Sequence, residues 1–488
     1  LLEPTFVRGS VLTPRLLLTA GSLWVIGGAV LWLSRRLLPR ELSRRAQFLG
    51  VTAAVLILLI PATPPQLWMQ ESLLEENIHQ LIHAAYAGPS ALPLSTVNEA
   101  KRLLHAKRRQ DLDGTLIVKQ KPRANVLIIT VESLSEDVLR RGWMPYLQKL
   151  ADENLHYVQY INPNITTIRG LYAQVSGDET YFGRYGRDGI VKRIADRRLD
   201  AVALPQLLNK EGYETVFMQS AELGFQNKKG VMEALKFRYV IGDTKPTPGN
   251  RFSEWGIDDP SLYANAGKMI EGFEKERPDG RWMLLLMTAG THHPYNVDPS
   301  FRPDLPLRPR SYRYADEAIK GLVKWLESTG RKKNTLLIVT GDESRDTHKS
   351  QQGIGQVISR NEGLLVIVTP DNERKRIAAP YLQSDLPISI LDYLDIAPPT
   401  KLGGRSLFRD YREFRPIVFS DYAQSALYAL AAPGTLLNCD TEQWECSRYA
   451  LSSDTLFDLT QSFTPEPMNG AMMHAIYDNN RRDWLGAP

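Results

Sequence analysis

The sequence predicts an α/β fold: a mostly parallel sheet sandwiched by helices, followed by a small C-terminal lobe and preceded by transmembrane helices. Three observations carry this. The first is the run Asn125-Val126-Leu127-Ile128-Ile129-Thr130-Val131, apolar without alternation and set off from the basic stretch 119–123. Such a run reads as a strand buried on both faces, as in a parallel sheet. The second is a repeated alternation of strand and helix. Strands are expected at 126–131, 215–219, 282–287, 336–340 and 364–369, with helices at 145–152, 204–211, 261–276 and 314–328. Gly212 and Gly330 supply stop signals for two of the helices. Strands and helices in alternation imply a parallel sheet covered on both faces. The third is the change beyond about residue 415 to short strands and turns, which marks the lobe at 415–488.

Ahead of the core, residues 16–33 are uncharged and strongly apolar, and 46–68 form a second such stretch. At about 20 residues each they are long enough to cross a bilayer. Between them lie the five arginines Arg35, Arg36, Arg40, Arg44 and Arg45, and after Trp68 no Lys or Arg appears until Lys101. The positive-inside bias therefore places the arginine loop in the cytoplasm and everything beyond the second span outside. The expected layout is a membrane region at 1–68, a helical connector at 69–118, an α/β core at 119–414 and the lobe. His79, His83 and His105 of the connector have no zinc-protease Glu beside them and read as structural. Cys439 and Cys446, the two cysteines of the chain, sit in a polar segment without a histidine, and a short-loop disulfide is the simplest reading. The chain opens on Leu1, so it reads as a fragment or processed product.

Composition narrows the function. Of 488 residues 43% are hydrophobic and 23% charged, ordinary values for a globular protein. A net charge of +4, not clustered, gives no footprint for nucleic acid.

Four polar clusters fall where ligands bind in open α/β sheets, beyond the carboxyl ends of the strands. Glu132 ends the 126–131 strand. Asn162-Pro163-Asn164-Ile165-Thr166-Thr167-Ile168-Arg169-Gly170 opens a helix-like segment at 171–175. Thr288-Ala289-Gly290-Thr291-His292-His293-Pro294-Tyr295 follows the 282–287 strand, and Thr340-Gly341-Asp342-Glu343-Ser344 follows 336–339. Each has a bland explanation, a helix cap or a turn residue. Their coincidence at one edge favours chemistry. Two acidic strand ends and a hydroxyl at a helix N-terminus suggest metal-assisted phosphoryl or sulfuryl transfer. A cation held by Glu132 and Asp342 would activate a threonine hydroxyl, and the helix N-terminus would add amide donors for an anion. Arg169 would contact the phosphate or form a structural salt bridge, and His292 would protonate or hydrogen-bond a leaving or entering hydroxyl.

Over about 125–408 these residues resemble the alkaline phosphatase/sulfatase superfamily, and within it the lipoteichoic acid synthase-like and phosphoethanolamine transferase-like membrane enzymes. Glu132-Ser133 is similar to the family's first metal-binding strand end. The 166–172 segment is similar to its nucleophile loop, with Thr167 as nucleophile and Thr166 as the alternative. Gly224-Phe225-Gln226-Asn227-Lys228 resembles a headgroup-contacting segment, which makes Asn227 and Lys228 substrate contacts. His292-His293-Pro294-Tyr295 resembles the substrate-binding histidine motif, with His292 in the aligned position and His293 beside it. The late signature is matched by 386–392 and 404–407. One departure stands out. The family follows its second metal-binding Asp with His or Asn, whereas Glu343 follows Asp342, so the ligand set becomes Glu132, Thr167, Asp342 and Glu343. Oxygen ligands suit Mn²⁺ or Mg²⁺ better than Zn²⁺; His348 is the alternative fourth ligand.

The resemblance implies an enzyme on the outer, periplasmic side of a bacterial cytoplasmic membrane. It would take phosphoglycerol or phosphoethanolamine from a membrane phospholipid, hold it on Thr167, and pass it to a glycan or lipid acceptor of the envelope. Partners could include proteins of an envelope complex. A formylglycine sulfatase is disfavoured, because no Cys/Ser-x-Pro-x-Arg motif occurs. A phosphodiesterase on the same site is one rival. A catalytically impaired member with a lipid-binding or regulatory role, kept open by Glu343, is the other.

Overall fold

The computed structural model describes residues 109–183, 187–195, 202–244, 248–344, 358–451, 456 and 465–485. The two expected membrane spans, the connector histidines and His348 lie outside the described residues. Among the described residues no helix is long and apolar enough to cross a membrane.

The expected strands form, and three short ones join them. In chain order these are β1 (Asn125–Val131), β2 (Leu155–Tyr157), β3 (Tyr213–Gln219), β4 (Tyr239–Ile241), β5 (Arg281–Met287), β6 (Thr335–Gly341), β7 (Leu365–Val368) and β8 (Lys375–Ile377). They make one eight-stranded sheet in the order β8-β2-β7-β6-β1-β5-β3-β4. The five strands from β6 to β4 are mutually parallel. β7 runs antiparallel to both β6 and β2, so the sheet is mixed.

Alternation along each strand divides the core in two. Val126 and Ile128 join one apolar cluster, with Leu171 and Val175 of α2 (Thr167–Ser176), Leu208 of α3 (Leu204–Lys210) and Ile390 of α7 (Leu386–Tyr393). Leu127, Ile129 and Val131 join the other. There they meet Leu147 of α1 (Pro145–Glu153), Ile270 of α5 (Asp259–Glu276) and Ile319 of α6 (Leu307–Ser328). Every residue of β1 is buried, and each large apolar side chain so placed contributes about 1.5–3 kcal/mol. Helix α6 begins at Leu307, well before the expected residue 314. Pro309 falls in its first turn, where a missing N–H costs nothing.

The sequence signature at 386–392 and 404–407 is a structural clasp. Asp392 accepts from Ser406 Oγ at 2.5 Å and from Arg409, and Asp385 receives the buried Arg415 guanidinium. The last residues of the expected helical connector form short strands instead. Gln110–Asp111 pairs with Gly404–Arg405, and Thr115–Leu116 with Arg409–Asp410.

The final segment builds a five-stranded antiparallel sheet of β9 (Ile417–Asp421), β10 (Ala426–Ala432), β11 (Thr435–Asp440), β12 (Cys446–Ala450) and β13 (Pro465–Met468). Cys439 and Cys446 face each other across β11 and β12 and are disulfide-bonded. With α4 (Lys228–Ala234) between α3 and α5, the last helix, α8 (Ala471–Leu485), packs on the 179–183 loop. Asn480 Oδ1 accepts from the Phe182 amide at 2.8 Å, and Trp484 Nε1 donates to Glu179 O at 2.9 Å.

Candidate active site

The site grows from the register of β1 and β6. These strands are adjacent and parallel, with Val131 opposite Gly341, so the chain leaves both at the same height. Glu132 and Asp342 emerge side by side, and Glu343 follows. One carboxylate oxygen from each of the three lies within 4.8 Å of the others, and all three residues are buried. Backbone and hydroxyl donors fix them. Ser133 N–H donates to Asp342 Oδ1 at 2.8 Å and Ser133 Oγ to Glu132 Oε1 at 3.1 Å. Burial, and then the charge of Glu343, pushes Asp342 up to about 6, with hydrogen bonding from Ser133 and Thr167 opposing.

Helix α2 arrives at this cluster by its N-terminus. Thr166 occupies the N-cap with φ of 88° and makes no side-chain cap, a backbone state that β-branched residues rarely adopt. Its amide donates to Glu343 Oε2 at 2.7 Å. Thr167 is the first helical residue, and its hydroxyl lies against the Asp342 carboxylate. The helix comes close because residue 170 is glycine: a Cβ there would stand 1.9 Å from Asp342 O. Gln174 and Gln383 both donate to Gly341 O at 2.8 Å, pinning the turn that carries Asp342.

The histidine segment leaves β5 and is tied to the same point. Thr291 Oγ1 donates to Glu132 O at 2.6 Å, and the Glu132 amide donates to Thr288 Oγ1 at 3.3 Å. The His292 ring packs 4.3 Å from the Trp255 ring and its Nδ1 lies 2.7 Å from His293 O. The same carbonyl accepts from Trp255 Nε1 at 2.9 Å. Trp255 meets Phe225 at 5.4 Å, and the buried Lys228 places Nζ 4.9 Å from the Phe225 ring centre. The 225–228 segment and His292 thus share one aromatic wall. Asn227 is part of its framework, capping α4 by accepting from Gly230 N–H at 3.4 Å.

Arg169 is placed differently from its neighbours. It is buried, donates to Tyr181 O at 2.6 Å and Gly183 O at 3.3 Å, and stacks 4.2 Å from the Tyr422 ring centre. Its side chain ties α2 to the C-terminal sheet.

Three buried carboxylates within contact range repel one another unless a cation joins them. Asp342 Oδ2 is buried and makes no hydrogen bond of ordinary geometry. The donor set therefore fits a hard divalent cation held by oxygen. Sequence reasoning did not single out Thr288, Thr291, Gln174, Gln383 or Trp255. The two threonines lay inside a segment already marked, whereas the glutamines and the tryptophan carry no local pattern.

A family profile described as Sulfatase matches residues 124–396, more than half of the chain. The chain belongs to the sulfatase family. Two curated relatives of this sulfatase-family chain are named phosphoglycerol transferase I, from Escherichia coli (strain SMS-3-5 / SECEC) and Shigella boydii serotype 18 (strain CDC 3083-94 / BS512). Each is 26% identical over 184 residues, covering 36% of this chain and 24% of the relative; the chain thus matches about a quarter of their length. Among solved structures, an alkaline phosphatase superfamily protein from Vibrio parahaemolyticus superposes with a TM-score of 0.67 at 18% identity, over 81% of this chain and 98% of that one. The lipoteichoic acid synthase LtaP from Listeria monocytogenes gives 0.61 at 14%, over 79% and 96%. These two share the fold.

Proposed function

We propose that this sulfatase-family member is a membrane-anchored phosphotransferase that moves the phosphoglycerol or phosphoethanolamine headgroup of a phospholipid to an envelope glycan or lipid. The observation that supports it most is the Thr167 hydroxyl at a helix N-terminus, against Asp342 and beside Glu132 and Glu343. A nucleophile and a candidate cation site thus share one buried point.

In this reading Thr167 Oγ1 attacks the lipid phosphorus and loses its proton. The bond from phosphorus to the diacylglycerol oxygen breaks, and that oxygen takes up a proton, for which His292 is the proposed donor. The headgroup phosphate then rests on Thr167. An acceptor hydroxyl attacks the same phosphorus, the bond to Thr167 Oγ1 breaks, and the threonine regains a proton. Helix α2 offers its N-terminal amides to the phosphoryl oxygens, and Lys228, on the Phe225–Trp255–His292 wall, is the proposed headgroup contact. A bound Mn²⁺, or Mg²⁺, would lower the pKa of the attacking hydroxyl and neutralise charge on phosphorus. Glu132, Asp342, Glu343 and Thr167 would hold it. A threonine in the nucleophile position, with no formylglycine motif, argues for phosphoryl over sulfuryl transfer. The relatives' name favours phosphoglycerol.

The test is diacylglycerol release from phosphatidylglycerol and from phosphatidylethanolamine vesicles by the full chain. Release with Mn²⁺ that falls by at least about 10²-fold in Asp342→Asn and is abolished by chelation supports the reading. Release indifferent to both the chelator and Asp342→Asn would refute it.

A further inference from the structure

The 291–295 segment makes two sets of ring contacts. His292 turns to the Trp255–Phe225–Lys228 wall described above. The His293 and Tyr295 rings lie 5.7 Å apart, and around Tyr295 the chain builds a second cluster. Arg308, in the first turn of α6, places its guanidinium 5.6 Å from the Tyr295 ring centre and 5.9 Å from that of Trp143. Trp143 in turn packs 5.5 Å from Tyr312. Arg308, Tyr295 and Trp143 are all half-buried, so they border solvent rather than fill a core.

This cluster is wired to the catalytic centre. Arg308 hydrogen-bonds the Tyr312 hydroxyl. That hydroxyl donates to Ser133 O at 2.7 Å, and Ser133 holds both Asp342 and Glu132. The Glu132 charge and the Arg308 charge act on the Tyr312 hydroxyl in opposite directions. The guanidinium is therefore joined to the carboxylate cluster through Tyr312 and Ser133, and shares no contact with the Trp255–Phe225–Lys228 wall among those described above. The N-terminus of the 22-residue α6 adds positive potential to the same place.

We propose that Arg308, Trp143 and Tyr295 form an acceptor subsite, which receives a polyhydroxylated acceptor carrying an anionic group, phosphate above all. Arginine forks match phosphate oxygens in pairs. Half-buried aromatic faces take the C–H face of a polyol or sugar. The reaction of the preceding subsection needs a place for the second hydroxyl that is distinct from the headgroup wall, and this cluster supplies one. The inference rests on that reading for the word acceptor; the anion subsite itself rests on geometry alone.

The experiment is calorimetric titration of the full chain carrying Thr167→Ala, so that no turnover intervenes. The probes are glycerol phosphate, glycerol as the neutral control, and phosphatidylglycerol vesicles. The expected result is binding of glycerol phosphate that weakens at least about tenfold in Arg308→Gln and partly recovers in Arg308→Lys, with no binding of glycerol at the same concentration. Trp143→Ala, which leaves the charge in place, should weaken binding as well. Equal affinity in the Thr167→Ala parent and in Arg308→Gln would overturn the subsite, as would no binding at all. Loss confined to the vesicles would assign the arginine to the donor lipid and overturn the acceptor role. If Arg308-dependent binding is seen but Thr167 never becomes phosphorylated, the catalytic reading fails while the anion subsite stands.

Discussion

Asp259 shows how much a single residue can cost. It sits at the start of α5 under Gly290, wholly buried, with neither carboxyl oxygen in a hydrogen bond of ordinary geometry. Burial, and then the charge of Asp258, pushes it up to about 7. In the unfolded chain it titrates near the ordinary value of about 3.9. Between these values the folded state keeps a proton that the unfolded state has released. The associated stability is fully present below about pH 4 and is lost as the pH rises to about 7. Replacing it with an uncharged isostere removes a penalty of up to about 4 kcal/mol at high pH. Asp259→Asn is therefore expected to raise Tm at pH 8 by several degrees, and the gain should vanish towards pH 4. A gain of equal size at both pH values would show that charge is not the cause. The meeting of Glu132 and Asp342 was legible in the sequence, because both are acids at the ends of apolar strands. The hydrogen bonds of Arg169 to the Tyr181 and Gly183 carbonyls were not legible, because they join it to a loop more than ten residues away. Arg308 was equally silent, since only the tertiary fold brings Tyr295 and Trp143 to it.

Helix α2 is the element on which the site turns. Its approach to Asp342 is permitted by Gly170, where a Cβ would meet a backbone oxygen at 1.9 Å. A flexible side chain could move aside, but this backbone is pinned by Gln174 and Gln383. Gly170→Ala is expected to cost about 1–3 kcal/mol of stability and, by displacing Thr167 by a fraction of an ångström, about 10²-fold in activity. Gly272→Ala is the control. It lies inside α5 with nothing within 4 Å of the added carbon, so it should stabilise by about 0.5–1 kcal/mol. Thermal melts and diacylglycerol release on both variants check the pair. Long elements were the readable ones: the apolar runs of β1, β5 and β6 are dictated by burial on both faces. Short strands such as β2 and β8, three residues each, carry too few residues for a period to show. The direction of β7 was not legible either, because its run of four apolar residues is the same for a parallel and an antiparallel neighbour.

At the scale of the molecule, the fold brings segments far apart in the chain to one sheet edge. β1 supplies Glu132, β6 supplies Asp342 and Glu343, β5 leads to His292, and α2 delivers Thr167. Their neighbourhood follows from strand order and register, with β1 flanked by β6 and β5. The C-terminal sheet and α8 brace this centre from behind, through Tyr422 on Arg169 and Asn480 and Trp484 on the 179–183 loop. The departure at Glu343 makes the cluster all-carboxylate, which favours a hard cation over zinc. The central claim is that Thr167 carries the headgroup. Intact-mass measurement of the purified chain after incubation with Mn²⁺ and phosphatidylglycerol or phosphatidylethanolamine, beside Thr167→Ala, tests it most directly. The account predicts an adduct of phosphoglycerol or phosphoethanolamine mass on the wild type and none on the variant. An adduct that survives Thr167→Ala, or turnover of either lipid without any adduct even after rapid acid quenching, would contradict it.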